Sequence, residues 1–181
     1  MAGEDAETAS LTSAANARAI DASDAAKHAS ALCEFVGACP SPYHTVMAIR
    51  TRLEASGFVE LPESAAWNVR VGGKYYVVRN DSSIIAFAVG SYAYGDTFGF
   101  KVAASHSDSP TYKIKAEEEL GGPGPYVRLN VEGYGGMIDR TWLDRPLGVA
   151  GRVLVRQGNV IRRRFVDADE DLVLIPSLAV H

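Results

Sequence analysis

The 181 residues carry 18 Lys and Arg against 22 Asp and Glu, a formal charge of −4, with 47% hydrophobic and 22% charged residues. This suffices for one sizeable core or two small ones, and it offers no broad positive field, so neither nucleic acid nor an anionic membrane is an expected partner. No apolar run approaches the ~20 residues that span a bilayer, and the opening stretch Met1 to Ser10 holds acids where a secretory signal needs Lys or Arg, so the expected compartment is cytoplasmic.

Residues 1–12 are rich in Ala, Glu, Ser and Thr without apolar spacing, and a disordered tail is expected there. From about Ala14 to Val36 the chain is alanine-rich, and Ile20, Ala31, Leu32, Phe35 and Val36 can form an apolar stripe at helical spacing. Cys33 and Cys39 are too few for a disulfide framework and are not in zinc-ribbon spacing, so they read as buried or half-buried thiols. Pro40 and Pro42 break the first helix. A second begins near Pro42, with Val46, Ile49, Arg50 and Leu53 on one face and Gly57 in position for a left-handed cap.

The period then changes. Lys74 to Arg79 and Ser83 to Val89 are short runs of Tyr, Val and Ile around Asn80-Asp81-Ser82, which predicts a β-hairpin. Ile84 to Val89 is apolar on both faces, as expected of a central strand covered on each side, and Phe100 to Ala104 offers another such strand. Tyr112 and Ile114, and later Val127, Leu129 and Val131, alternate with polar residues and predict half-exposed strands. Val149 to Arg156 and Val160 to Val166 form a further pair across Gln157-Gly158-Asn159. The Gly/Pro-rich stretch from Glu117 to Pro125 marks the expected boundary between an α/β part and an all-β part.

His106 lies in Ser105-His106-Ser107-Asp108-Ser109-Pro110, directly after an apolar run, where ligands of α/β sheets collect. In an extended segment His106 and Asp108 face the same side and can address one point. A neutral imidazole is a good zinc ligand, and a nearby carboxylate can hold its ring. On these residues alone, a metal ligand and a hydrogen-bonded structural histidine both stand.

The surrounding motifs narrow the choice. The chain carries Pro40-Ser41-Pro42-Tyr43-His44, Gly57 to Leu61, Ile84 to Gly90, the His106 element, Tyr134-Gly135-Gly136, Trp142 to Leu147, Ala150 to Val153 and Ile175 to His181. In this order and spacing they resemble the aspartyl aminopeptidase family of dinuclear zinc metallopeptidases, from about residue 28 to the end. The resemblance implies an α/β fold: the N-terminal part of a layered metallopeptidase catalytic domain over residues 13–120, then over 121–181 the first part of an inserted β-rich dimerisation domain. It implies a metal-dependent aminopeptidase acting on N-terminal residues of peptides, with Asp and Glu as candidates, and a homo-oligomer. Two Zn2+ ions per complete site are implied, with Co2+ or Mn2+ as alternatives.

Carried over by position, the metal-ligand histidine is His106 and the catalytic aspartate that orients it is Asp108. His181 matches a histidine that reaches the substrate pocket of a neighbouring subunit. Where members often have Ala-His-Thr-Asp, Ser105 and Ser107 stand here, and Ser177 replaces a histidine often seen in the last motif. The bridging carboxylate, the general-base glutamate, two further metal-binding carboxylates and a second histidine are expected beyond residue 181, so the chain by itself is expected to be an inactive portion of the enzyme. The competing expectation is a naturally short, non-catalytic binding or oligomerisation module. Sheet edges and apolar faces left uncovered by such a product weigh against it.

The remaining features read more simply. His44 is a packing or cap residue and His28 a solvated helix residue. Tyr134-Gly135-Gly136 marks a tight bend, with close approach to a substrate or partner as the alternative. Trp142 is an aromatic anchor beside a local Asp144/Arg145 ion pair, or part of an interface patch, and Arg162 to Arg164 form a solvated strand face.

Overall fold

The structure, a computed structural model, describes residues 22–91 and 99–178. The chain divides into two compact units, Met1–Gly37 and Ala38–His181. In the first, α1 (Ala22–Gly37) realises the alanine-rich stretch, with Asp24 in its first turn pairing with Lys27 at 3.3 Å. The expected tail and the start of the expected helix, residues 14–21, lie outside the described residues. Cys33 is exposed, contrary to the buried or half-buried position expected of it, and Cys39 is half-buried; both are free thiols.

In the second unit, α2 (Pro42–Ala55) starts where the two prolines place it. Ser41 is its extended N-cap and accepts from the His44 N–H, and Pro42 occupies the first turn, where no N–H is needed. Gly57, at φ +81°, ends the helix in the left-handed region. A three-stranded sheet follows in the order β1 (Val59–Glu60), β2 (Lys74–Arg79), β3 (Ser83–Ala88), with β1 parallel to β2 and β2 antiparallel to β3. In the three-residue loop between the paired Arg79 and Ser83, Asn80 and Asp81 take φ of +52° and +58°, and the Ser82 N–H donates to the Arg79 carbonyl at 3.1 Å to close the turn.

Val46, Leu61 and Tyr76 are the buried apolar residues around which this part is organised. Tyr76 is fully buried, and its hydroxyl is not left unpaired. It donates to Glu54 Oε1 at 2.6 Å and accepts from Arg50 Nε at 3.1 Å, while Arg50 also pairs with Glu60 at 2.8 Å. A buried hydroxyl without such partners costs about 1–3 kcal/mol, so this network is what allows a tyrosine at the centre.

Two expectations fail here. Among the described residues β3 has β2 as its one sheet neighbour, and Ile85 is 70% exposed, so it is not a central strand covered on both faces here. Phe100 to Ala104 forms no strand, and Val102 is 84% exposed. The reason is the same for both: apolar composition shows that a segment can be buried, but burial requires a second layer, and no described element supplies one.

The rest is built of long hairpins. β4 (Thr111–Leu120) pairs antiparallel with β5 (Arg128–Tyr134), with a register shift between Ile114 and Glu119. A 3₁₀ turn (Asp139–Thr141) leads to β6 (Pro146–Gln157), paired with β7 (Val160–Leu174) over nearly its whole length. Gly158 turns this second hairpin at φ +61°. Near its base, at Gly148, a Cβ would come within 2.9 Å of the Ala168 carbonyl oxygen, beside the register shift between Leu147 and Val149. Both strands run further than the apolar runs predicted.

The β6–β7 hairpin docks on the start of α2 and on the β2–β3 turn. The Phe165 ring stacks on Tyr43 (centroids 6.2 Å apart, 18° between planes) and lies 5.8 Å from His44. The Arg152 guanidinium sits 4.6 Å from the Tyr43 ring and donates to the Asn80 carbonyl at 2.8 Å. Arg152 and Arg163 both bond the Asp81 carboxylate. Arg163 therefore has a specific partner and is not simply part of a solvated basic face. His44 is buried with Nδ1 2.7 Å from Ser41 Oγ, as a packing and cap residue should be.

Trp142 meets Tyr112 edge to face at 5.6 Å. The expected Asp144/Arg145 ion pair is absent among the described contacts. Asp144, at φ +55°, instead accepts from the Ser177 N–H at 2.8 Å and from its hydroxyl, and Arg145 reaches the Thr141 carbonyl. The Ser177 bonds hold the Asp144 carboxyl below the usual carboxylate range. Two motifs more than thirty residues apart are thereby clasped together.

Candidate metal centre

The loop between β3 and β4 carries His106 and Asp108. Ser107 Oγ donates to the Ser82 carbonyl at 3.1 Å, tying the loop to the β2–β3 turn. His106 and Asp108 contribute instead to an open cleft of about 300 Å³, together with Ser109, Pro110 and Tyr134 to Gly136. The alternation expected of an extended segment is what separates these roles.

His106 Nδ1 lies 3.1 Å from Asp108 Oδ1. In the neutral tautomer that donates from Nδ1 to this carboxylate, Nε2 keeps its lone pair, the arrangement of a metal-ligating imidazole held by an outer carboxylate. The His106 side chain is 93% exposed, so that lone pair is open to a ligand; Asp108 is 27% exposed. The second carboxylate oxygen, Oδ2, accepts from the Tyr134 hydroxyl. The Tyr134 bond first, and the His106 bond second, hold the Asp108 carboxyl below the usual carboxylate range, and the same contact pushes the Tyr134 hydroxyl up.

The donor set fits one zinc ligand and its orienting carboxylate. It does not amount to a whole site: among the described residues no group of three or more His, Cys, Asp or Glu could hold a metal ion. A zinc site takes three or four protein ligands. His181, the third site residue expected from the sequence, lies outside the described residues.

Tyr134 is the residue sequence reasoning missed. The Tyr134-Gly135-Gly136 element read as a tight bend, and Gly135 does turn at φ +78°. But β5 pairs Tyr134 with Thr111, three residues after Asp108, which brings the phenol to the carboxylate. Antiparallel pairing of the two alternating runs was the available signal, and it requires a register that neither run states by itself.

Residues 35–181 match the family model described as Aminopeptidase I zinc metalloprotease (M18), and the chain belongs to this family. It is 41% identical over 157 residues to a probable M18 family aminopeptidase 2 of Clostridium novyi, covering 86% of this chain and 36% of that protein. A chain from the cryo-EM structure of the Ape4 and Nbr1 complex superimposes with a TM-score of 0.74 at 40% identity, covering 82% of this chain and 28% of the other. The structure of an S. cerevisiae mApe1 dodecamer matches with a TM-score of 0.69 at 31% identity, covering 80% and 34%. The chain thus spans about a third of the length of the curated relatives it matches. Its helices and strands are those of an α/β protein similar to these aminopeptidases. No described helix is long and apolar enough to cross a membrane.

Proposed function

We propose that this chain is the N-terminal part of a zinc-dependent aminopeptidase, in which His106 binds metal through Nε2 and Asp108 holds the imidazole. The observation that carries the reading is the 3.1 Å contact between His106 Nδ1 and the Asp108 carboxylate at an open cleft, in a chain of the M18 family. Asp108 fixes the tautomer and the ring plane, and His106 presents one lone pair. The chemistry a bound zinc supplies is polarisation of the scissile carbonyl and acidification of the attacking water.

The complete site holds two ions, zinc or alternatively cobalt or manganese, with the remaining ligands and the general base supplied beyond residue 181. One imidazole does not hold two ions, so the 181 residues alone are inactive. Residues 13–120 belong to the catalytic domain, and residues 121–181 begin the β-rich dimerisation domain. The whole protein is a homo-oligomer, a reading supported by the dodecameric assembly named for one of its structural relatives, and it works in the cytoplasm. In this protein's own oligomer His181 contacts substrate bound to a neighbouring subunit. The substrates are peptides, with N-terminal Asp and Glu as the candidate residues to be removed.

The test is expression of the complete reading frame and assay on Asp- and Leu-anilides with and without chelator. Chelator-sensitive cleavage that His106→Ala abolishes, with loss of bound metal, is the expected result. Unchanged metal content and activity in His106→Ala would remove His106 from the site.

A further inference from the structure

We infer that Tyr134 is a positioning residue of the metal centre, acting on His106 through Asp108. The inference rests on the reading of His106 as a zinc ligand. Among the described residues Asp108 is the one hydrogen-bond partner of the His106 ring, which is otherwise 93% exposed. Among the described residues no other bond directs Nε2. An aspartate side chain rotates over a broad range about its last torsion. A carboxylate with a single bond to an exposed imidazole would swing with it. The Tyr134 hydroxyl bonds the other carboxylate oxygen, so each oxygen has its own partner and rotation of the carboxylate about its last torsion would break both bonds.

Tyr134 can do this because its own ring is held by the sheet. It is the last residue of β5, registered opposite Thr111. Lys113, two residues further along β4 and on the same face, places its ammonium 3.4 Å from the centre of the Tyr134 ring, a cation–π contact that clamps the ring from one side. On the other flank Gly135 turns the chain at φ +78°, and the close approach of Pro110, 3.4 Å from where a Cβ would stand, packs this bend against the loop that carries Asp108. The β4–β5 hairpin is therefore a template: its pairing register sets the tyrosine, the tyrosine sets the carboxylate, and the carboxylate sets the ligand. The Tyr134 hydroxyl acts as a hydrogen-bond donor to the Asp108 carboxylate.

The experiment is a double-mutant cycle in zinc affinity, measured by competition with a chromogenic chelator on the protein expressed from its complete reading frame. Tyr134→Phe keeps the ring and its contact with Lys113 and removes the donor. It is expected to weaken zinc binding about tenfold, the scale seen when partners of metal ligands are removed, with the thermal midpoint of the metal-free protein unchanged. Asp108→Ala should weaken binding at least as much. Adding Tyr134→Phe to Asp108→Ala should then cost nothing more, because the hydroxyl has lost the group through which it acts.

Lys113→Met, which leaves the hydroxyl in place and frees the ring, should give a smaller loss that is likewise absent in the Asp108→Ala background. It serves as the second probe should Tyr134→Phe not fold. Additive losses, or zinc affinity unchanged in Tyr134→Phe while Asp108→Ala weakens it, would overturn the role of Tyr134 and leave the zinc site standing. Zinc affinity unchanged in Asp108→Ala would overturn the holding role of Asp108 and this inference with it, whereas zinc affinity unchanged in His106→Ala would overturn the metal reading itself.

Discussion

Arg152 and Asp81 are 71 residues apart in sequence and 3.3 Å apart in space. Arg163 closes on the same carboxylate from the opposite strand of the hairpin. Asp81 sits in the turn whose Ser82 carbonyl receives the Ser107 hydroxyl, beside His106. One tight turn thus ties the β6–β7 hairpin to the loop that carries the candidate metal ligand.

The ionic part of that tie is separable from the turn's backbone. Asp81→Asn keeps a residue that tolerates positive φ and removes the charge, and it should cost about 1–2 kcal/mol, since the Arg152–Asp81 pair is largely shielded from solvent. The loss should shrink as salt rises. Asn80→Ala, in contrast, strains a residue at φ +52° and removes a neutral acceptor 3.1 Å from Arg152, and should cost about 1–2 kcal/mol with a much weaker dependence on salt. Urea unfolding at low and high ionic strength checks both, and an Asp81→Asn loss that ignored salt would contradict the ionic account.

Phe165 anchors the same hairpin on α2. Phe165→Ala removes the stack on Tyr43 and the contact with His44, and because the ring is partly exposed the expected cost is about 1–3 kcal/mol. Amide hydrogen exchange should speed up along β6 and β7 and in the first turn of α2 while β2 stays protected. Uniform acceleration would mean that Phe165 serves the whole unit and is not a local anchor.

Tyr76 predicts an alkaline limb of stability. Burial, followed by its bond to Glu54, pushes its hydroxyl from 10.0 up to about 12. The folded state holds that proton more tightly than the unfolded one, so this contribution is fully present below pH 10 and is lost as pH rises through about 12. Tyr76→Phe should flatten the fall in unfolding free energy between pH 10 and 12 and cost about 1 kcal/mol at neutral pH. An unchanged alkaline slope would assign it to other groups.

Gly135→Ala places a side chain at φ +78° with its Cβ in contact with Pro110. Strain of about 1–2 kcal/mol follows from the backbone alone. Because the bend flanks Tyr134, the variant should also weaken zinc binding in the protein expressed from its complete reading frame, whereas Gly158→Ala, strained in a remote turn, should lower stability without touching the metal. Equal zinc affinities in the two variants would disconnect the bend from the site.

Helix α2 was legible to the residue at its start, because Ser41 and Pro42 act through bonds within one turn. The β2–β3 hairpin was legible for the same reason: Asn80 and Asp81 accept positive φ, and the runs beside them are short and rich in Tyr, Val and Ile. His106 and Asp108 could be paired on one side of an extended segment from spacing alone. The Tyr134 hydroxyl could not be assigned, because its partner is fixed by the register of β4 against β5. Arg163 read as one of three solvated arginines for a similar reason, since Asp81 reaches it only once the β6–β7 hairpin has docked.

What the sequence determined by itself is therefore what short-range chemistry decides: caps, turns, periodicity, the His106–Asp108 pairing and the order of motifs that marks the family. What only the tertiary structure decided is which of those groups meet across long separations, and which apolar segments find a cover. Ile85 and Val102 have the composition of a covered interior and stand exposed. Asp81, Asp144 and Asp108 have the composition of surface acids and each holds a specific partner. A residue's periodicity is set by its neighbours in the chain, but its burial and its partner are set by the second element packed against it, and that element's identity is written nowhere near it in the sequence.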